Sequence, residues 1–216
     1  MPPSTAKAPL APAPSQGAGL GSAEDELRAH ELARAAAAGE ASATRELLAL
    51  VWPNTVRVVA GALGATHPDL DDVVQQSLIA LLGALAGFRG ECHPVGYASR
   101  IALRTALKAR RRTKLDASRR ELLARLSGDE PTSAPNQDPL EERRRKLLRE
   151  LLDDLPEEQA EALALRVMLG WSLDEVSRAT NAPSNTVRSR VRLAKEALRR
   201  RIEAAPELVD QLKGEP

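Results

Sequence analysis

Residues Gly170–Arg201, GWSLDEVSRATNAPSNTVRSRVRLAKEALRRR, read as two helices separated by a tight break, and few folds accommodate that pattern. Ser172 followed three residues later by Glu175 is a capping-box pattern. In it the hydroxyl accepts from an orphan amide and the carboxylate reaches back to the cap residue's own N–H. Leu173, Val176 and Ala179 recur at the spacing of one inward face. Thr180-Asn181-Ala182-Pro183 then ends the helix, because the residue before a proline is pushed out of the right-handed helical region. Ser184 or Asn185 is expected to cap a second helix, in which Val187, Val191, Ala194, Leu198 and Ile202 form one apolar stripe. At about 100° per residue, Arg188, Ser189, Arg192, Glu196 and Arg199 fall on the opposite face, where guanidinium forks suit base edges in a major groove. A solvated basic face is the commoner meaning of a charge run. Here the cap, the break and the second stripe together favour a DNA-recognition helix.

Aromatic residues make up only 2% of the chain, so its cores must be built from Ala, Leu and Val. With no sustained alternation of apolar and polar residues, the predicted class is all-α, with almost no strand. A length of 216 residues allows one or two domains. Lys+Arg 31 against Asp+Glu 30 leaves a formal net charge of +1, so only the distribution of charge is informative. Arg100–Arg120 holds nine basic residues against Asp116 alone, and Arg188–Arg201 holds seven against Glu196. Between them, Asp129–Glu161 carries eleven acidic residues against five basic ones. Two basic segments flanking an acidic connector suit a protein that grips DNA at two places.

Cys92 is the only cysteine, which excludes an internal disulfide and suits a reducing compartment. No apolar run reads as long enough to span a membrane and no signal-peptide core is apparent, so the expected location is cytoplasmic, without direct membrane insertion. Asp69, Asp71 and Asp72 read as partners of a helix dipole rather than metal ligands, and Cys92-His93 lacks the spacing of a zinc site. No constellation of nucleophile, base and oxyanion donors is present. The expectation is a protein that is not an enzyme and takes no cofactor, metal or small-molecule substrate.

In chain order, residues 1–22 are a Pro/Ala/Gly/Ser tail read as disordered. Glu24–Ala38 reads as a helix stopped by Gly39, Ser42–Val51 as a second one broken at Trp52-Pro53, and a third continues to about Leu63. Asp69 to about Ala86 is the next, with Val73, Leu78, Leu81, Leu82 and Leu85 as its apolar face. Gly87–Pro94 is a loop before a helix from about Val95 to Arg112. Thr113–Leu140 reads as a connector with one helical piece around Ala117–Leu126. Glu141–Leu152 and a helix opened by Pro156-Glu157-Glu158 precede the paired helices. The predicted organisation is therefore a first small helical domain (23–112), a flexible linker (113–140), a helix-turn-helix domain (141–205) and a tail (206–216). Trp52 and Trp171 are expected in the cores, and Phe88 suits a core or a stacking platform equally.

Four pieces in this order carry a family resemblance. Asp69, Asp72 and Gln75 follow D-x-x-D-x-x-Q, and Phe88-Arg89-Gly90-Glu91 is followed by Tyr97-Ala98-Ser99-Arg100-Ile101-Ala102. Leu155-Pro156-Glu157-Glu158-Gln159 and Thr186-Val187-Arg188-Ser189-Arg190 complete the set. Over roughly residues 24–112 and 141–203 the chain resembles the extracytoplasmic-function group of bacterial RNA polymerase sigma factors. The resemblance implies two domains that direct core RNA polymerase to promoters. Asp69, Asp72, Gln75 and Gln76 would contact core RNA polymerase, through its β′ and β subunits. Phe88, Arg89, Glu91, Tyr97, Arg100, Arg104 and Lys108 would bind and melt the −10 element of promoter DNA. Thr186, Arg188, Ser189, Arg190, Arg192 and Lys195 would bind the −35 element, and an anti-sigma factor is implied as a further partner. Tyr97 stands where the family usually has Trp, and Arg192-Leu193 where it commonly shows His or Phe and then Arg, so base preferences are expected to differ. The second domain alone also fits a helix-turn-helix regulator that is not a sigma factor. The Asp69/Asp72/Gln75 helix and the loop after it favour the sigma reading.

Overall fold

Acidic first turns matched to the helix dipole open α-helices at Ala23, Leu70, Glu157 and Leu173 in the computed structural model, which describes residues 23–127 and 140–205. Expectations for the two tails and for 128–139 lie outside the described residues. Among those described, every regular element is helical: α1 (Ala23–Ala37), α2 (Ala41–Leu63), α3 (Leu70–Ala84, followed by a 3₁₀ turn Leu85–Gly87), α4 (Pro94–Ser127), α5 (Leu140–Asp153), α6 (Glu157–Val167), α7 (Leu173–Thr180) and α8 (Ser184–Glu203). Glu24, Asp25 and Glu26 open α1, and the chain leaves it through Gly39 at φ 90°, a conformation that only glycine adopts without a steric cost. Ala29, Ala33 and Ala36 are buried along one face of α1, and these small side chains let it lie close on α2.

Two boundaries differ from the sequence reading. The predicted break at Trp52-Pro53 does not occur: Pro53 lies inside a continuous α2. Pro53 and Ala49, whose carbonyl loses its helical partner there, both face solvent, where water can replace the missing bond. Meanwhile Ala43, Leu47, Val51, Val58, Val59, Ala62 and Leu63 hold the helix by its inner face. The predicted end of α4 near Arg112 does not occur either, so residues 113–127 of the expected linker are helix. No glycine or proline lies between Tyr97 and Ser127, and the run is dominated by Ala, Leu, Arg and Lys, which favour helix.

Two apolar clusters fill the interior. One joins Ala33, Ala36, Ala43, Leu47, Val51, Leu81, Leu85 and Ala98, where α1 and the ends of α2, α3 and α4 meet. The other unites Val58, Val59, Val73, Val74, Leu103 and Leu107 with Leu152, Leu155, Leu163, Leu165, Trp171, Val176 and Val187. Helices α1–α4 and α5–α8 thus dock on each other through a shared apolar seam. A Cβ on Gly61 of α2 would come within 3.1 Å of Met168 Cε, which shows how closely the two groups approach. By length and composition alone, α2 and Leu70–Gly87, each of mean hydropathy 1.2, are apolar enough to cross a membrane, contrary to the sequence reading. Their buried residues serve these two clusters.

Trp171 is 3% exposed, as expected of a core residue, whereas Trp52 is 50% exposed and outside the core where it was predicted. Leu82 was predicted on the inner face of α3. The face actually buried runs through Val73, Val74, Ser77 and Leu81, so Leu82, about 100° further round, points outward.

Candidate nucleic-acid interface

The helix-turn-helix forms as its caps dictate. Ser172 Oγ accepts the Glu175 N–H at 3.1 Å and Glu175 Oε2 accepts the Ser172 N–H at 2.6 Å, completing the capping box. Helix α7 ends at Asn181 with φ 50°, ψ 41°, the left-handed conformation that asparagine tolerates better than most residues. The turn is tied down by Ser177 Oγ, which donates to the Ala182 carbonyl at 2.7 Å. Neither Ser184 nor Asn185 caps α8, contrary to expectation, because Pro183 takes the cap position and both residues are already helical. Ser184 Oγ instead donates to Asp174 Oδ1 at 3.1 Å, joining the starts of α7 and α8, and Asn185 Oδ1 accepts from Arg188 at 3.0 Å.

Val187 and Ala194 are fully buried under α8, while Val191, Leu198 and Ile202 are half-buried. On the other side Thr186, Arg188, Ser189, Arg192 and Lys195 are exposed, and Arg190 is half-buried. An open groove of about 520 Å³ runs along this face, where Arg166, Arg188, Arg192, Lys195 and Arg199 converge with Glu196 as the one acid in the lining. Arg192 pairs with Glu196 at 2.7 Å and Arg199 with Glu203 at 2.8 Å. Exposed pairs at this spacing are screened by water and contribute little, so a phosphate or base edge can displace them.

Beside the end of α7, Phe88, Arg89, Glu91 and Tyr97 gather at the turn into α4, in a pocket that Arg178 and Asn181 also line. Gly90 has φ 76°, the left-handed conformation that turns the loop back beside His30. The Phe88 ring lies 4.8 Å from Tyr97 and 6.0 Å from His30, stacked on the latter at 11°. Tyr97 Oη donates to the Ala84 carbonyl at 3.2 Å. Both rings are half-buried against the first apolar cluster, whereas Arg89 and Glu91 are exposed. Burial pushes the Cys92 thiol up, against the opposing pull of Arg100 and Arg178. The thiol form therefore prevails at neutral pH, an unfavourable state for redox sensing.

Burial also holds His93 below its ordinary range, although Glu26 pulls the other way. The neutral ring serves the structure directly, since its Nδ1 accepts the Val95 N–H at 3.2 Å at the start of α4. With the folded value depressed, the stability from this group is complete above the unfolded value of about 6.5 and is lost as pH falls below it. Thermal midpoints measured from about pH 7.5 to about pH 5.5 should fall more steeply in the wild type than in a His93→Asn variant. Parallel slopes would remove His93 from the acid response.

Asp69, Asp72, Gln75 and Gln76 are exposed on the first turns of α3, with Gln76 Nε2 donating to Asp72 Oδ2 at 2.6 Å. Asp69, Asp72 and Gln76 line one side of a cleft of about 1070 Å³ whose other side carries Arg104, Lys108, Arg111 and Arg112 of α4. Gln75 lies outside its lining. Of the predicted sets, Asp69, Asp72 and Gln76 for polymerase and Arg104 and Lys108 for the −10 element therefore border one cleft.

The last part of the acidic stretch read as a connector, Asp153–Glu161, packs on α4 through its carboxylates. Arg100 Nε meets Glu161 Oε1 at 2.8 Å with both side chains largely buried, and Arg104 meets Glu157 at 3.3 Å. Arg110 grips Asp153 with two bonds of 3.0 and 2.5 Å, their side chains 13% and 5% exposed. Arg111 donates to the Leu155 carbonyl at 3.0 Å and Lys114 meets Asp154 at 2.6 Å. Sequence reasoning missed Arg110, Arg111, Lys114 and their partners, although the matched basic and acidic runs were visible. Among the described residues no group of three or more His, Cys, Asp or Glu is placed to hold a metal ion.

Known proteins match this arrangement. The family Sigma-70, region 4 matches residues 145–198, which span most of α5 to α8. The ECF RNA polymerase sigma-E factors of Salmonella typhimurium and Escherichia coli are each 32% identical over 142 residues, 62% of this chain and 74% of theirs. The ECF RNA polymerase sigma factor SigD of Mycobacterium bovis is 31% identical over 176 residues, 79% of this chain and 82% of its own. The solved structure of CnrH in complex with the cytosolic domain of CnrY superposes with a TM-score of 0.50 at 21% identity, covering 82% of this chain and 99% of that one. The chain spans about three quarters or more of the length of each of these curated relatives. The chain belongs to the extracytoplasmic-function family of RNA polymerase sigma factors.

Proposed function

We propose that this sigma factor, which brings core RNA polymerase to promoters, divides the work between its two helical groups. Residues 23–112 bind polymerase and the −10 element, and residues 141–205 bind the −35 element. Asp69, Asp72, Gln75 and Gln76 present carboxylates and amides to core polymerase from the exposed start of α3. The Phe88–Glu91 loop, Tyr97, Arg100, Arg104 and Lys108 hold the melted −10 strand by charge and ring stacking. On α8, Arg188 and Arg192 read base edges, Thr186 and Ser189 lie beside them, and Arg190 and Lys195 contact phosphate. The observation that carries this reading is the basic, solvent-facing groove along α8, presented by a capped and buried framework. A regulator without polymerase binding would need only α7–α8 and would have no use for the exposed acidic turn of α3.

The work is binding rather than catalysis, carried out in the cytoplasm where polymerase acts. CnrH is seen held by the cytosolic domain of CnrY, and by analogy an anti-sigma factor holds this chain in reserve. Run-off transcription with purified core polymerase should give initiation dependent on this chain at a subset of genomic promoters. No such initiation at any promoter would sink the reading. Arg188→Ala and Arg192→Ala should each weaken upstream promoter binding by about 1–3 kcal/mol. Unchanged footprints in both variants would take these residues out of the interface.

A further inference from the structure

Three polar side chains link α2 to the start of α4. The Arg57 guanidinium, on α2, donates to Asn54 Oδ1 one turn earlier, and Asn54 Nδ2 donates across to Ser99 Oγ on α4. Ser99 is 1% exposed, and its hydroxyl donates onward to the Val95 carbonyl at 2.6 Å. Chemistry fixes the order of these bonds. A guanidinium only donates, so it takes the oxygen of the Asn54 amide and leaves the nitrogen facing Ser99. Ser99 then accepts from Asn54, and its single proton goes to Val95. On its other side Val95 donates to His93 Nδ1 at 3.2 Å, and the Tyr97 N–H reaches the His93 carbonyl at 3.0 Å. The first turn of α4 is thus held both from α2 and from the loop before it, and Tyr97 stands on that turn against Phe88.

Stability alone gives a poor account of this chain of bonds. Arg57 is half-buried, and no carboxylate among the described residues pairs with it. Among the described residues its Nε is the one buried side-chain polar atom without a hydrogen-bond partner. An unpaired buried donor costs free energy, and an apolar side chain in its place would remove that cost. What the arrangement does supply is direction: a charge on α2 orients one amide, one hydroxyl and the turn that carries Tyr97. We infer that Arg57, Asn54 and Ser99 are positioning residues that aim the Tyr97–Phe88 ring pair at the melted −10 strand. They act through the first turn of α4 rather than by touching DNA. The inference rests on the proposed −10 role of that ring pair and adds the residues that hold it. A recognition group works only when its neighbours lock it to within about half an ångström.

The test uses three variants of the full chain. Arg57→Met removes the first donor and frees the Asn54 amide to turn over. Asn54→Asp keeps an acceptor for Arg57 but takes away the donor to Ser99, so it breaks the order of the bonds without stranding the guanidinium. Arg57→Lys keeps a donor and is the conservative variant. Tyr97 is the only tyrosine in the chain, so labelling with meta-fluorotyrosine gives a single fluorine NMR resonance that reports this ring. That resonance should move in Arg57→Met and Asn54→Asp and return close to its wild-type position in Arg57→Lys. In complexes with core polymerase, the permanganate reactivity of unpaired −10 thymines should fall about tenfold in the first two variants, the scale of loss when a positioned group shifts by a fraction of an ångström. Protection of the upstream element and the urea midpoint of Asn54→Asp should stay at wild-type levels. Four results would each overturn the inference: an unmoved resonance, a moved resonance with unchanged melting, equal losses at the two promoter elements, or a lysine variant as impaired as the methionine one. The fluorine readout needs neither DNA nor polymerase, so it decides the positioning separately from the outcome of run-off transcription.

Discussion

Replacing Trp171 with alanine should lower the unfolding free energy by about 3–5 kcal/mol, the usual range for deleting a buried indole. Trp171 is 3% exposed and lies in the apolar cluster with Leu165, Val176, Val187 and Ala194. Its backbone is also engaged, with its N–H donating to the Leu165 carbonyl at 3.2 Å and its carbonyl accepting from Arg166. The indole therefore forms the floor on which α7 and α8 rest. Losing it should weaken upstream promoter binding although every exposed side chain of α8 remains in place. Against a total stability of about 5–15 kcal/mol for a domain, the loss is large enough to read directly in urea unfolding. Trp52→Ala supplies the contrast: that ring is 50% exposed, and its removal should change stability by no more than about 0.5 kcal/mol. Equal shifts in the two variants would contradict the placement of Trp171.

The second large effect is expected at Asp153→Ala, which leaves Arg110 without its carboxylate in a site where both side chains are almost fully buried. Removing one member of such a pair costs about 3–5 kcal/mol, because the remaining charge stays desolvated. Arg110 keeps one bond, to the Ala62 carbonyl at 3.3 Å, which does not neutralise it. The arginine can escape the penalty if α5–α8 lift away from α4. Calorimetry should therefore show an early transition for undocking separate from the unfolding of the helices. An Arg110→Met, Asp153→Leu double variant removes both charges and should recover most of the loss, since apolar replacements of a buried pair are often neutral or stabilising. If the double variant is as unstable as the single one, packing rather than the stranded charge sets the cost.

Where interactions run between near neighbours in sequence, the structure agrees with what could be read from the residues. Ser172 and Glu175 are three residues apart and form the capping box. Val187 and Ala194 are two turns apart and both are buried, so the basic face of α8 had to be the outer one. Proline was the less reliable signal: Pro183 sits at a helix start, whereas Pro53 is carried inside α2 because its missing hydrogen bond falls on the wet side. Ser184 and Asn185 were credited with a cap that the path of the turn gave to Pro183.

From the sequence alone came the helical class, the turn between α7 and α8, the exposed acidic start of α3 and the segregation of charge. All of these arise from capping, periodicity and propensity acting over a few residues. Only the tertiary structure decided which charges meet. Arg100 and Glu161 are 61 residues apart and Arg110 and Asp153 are 43 apart, so no local pattern pairs them. The basic and acidic runs were plain in the sequence as two separate features. Apolar docking of Leu152, Leu155 and Trp171 against the cluster around Leu103 and Leu107 brings them face to face and turns part of an expected connector into a surface packed on α4.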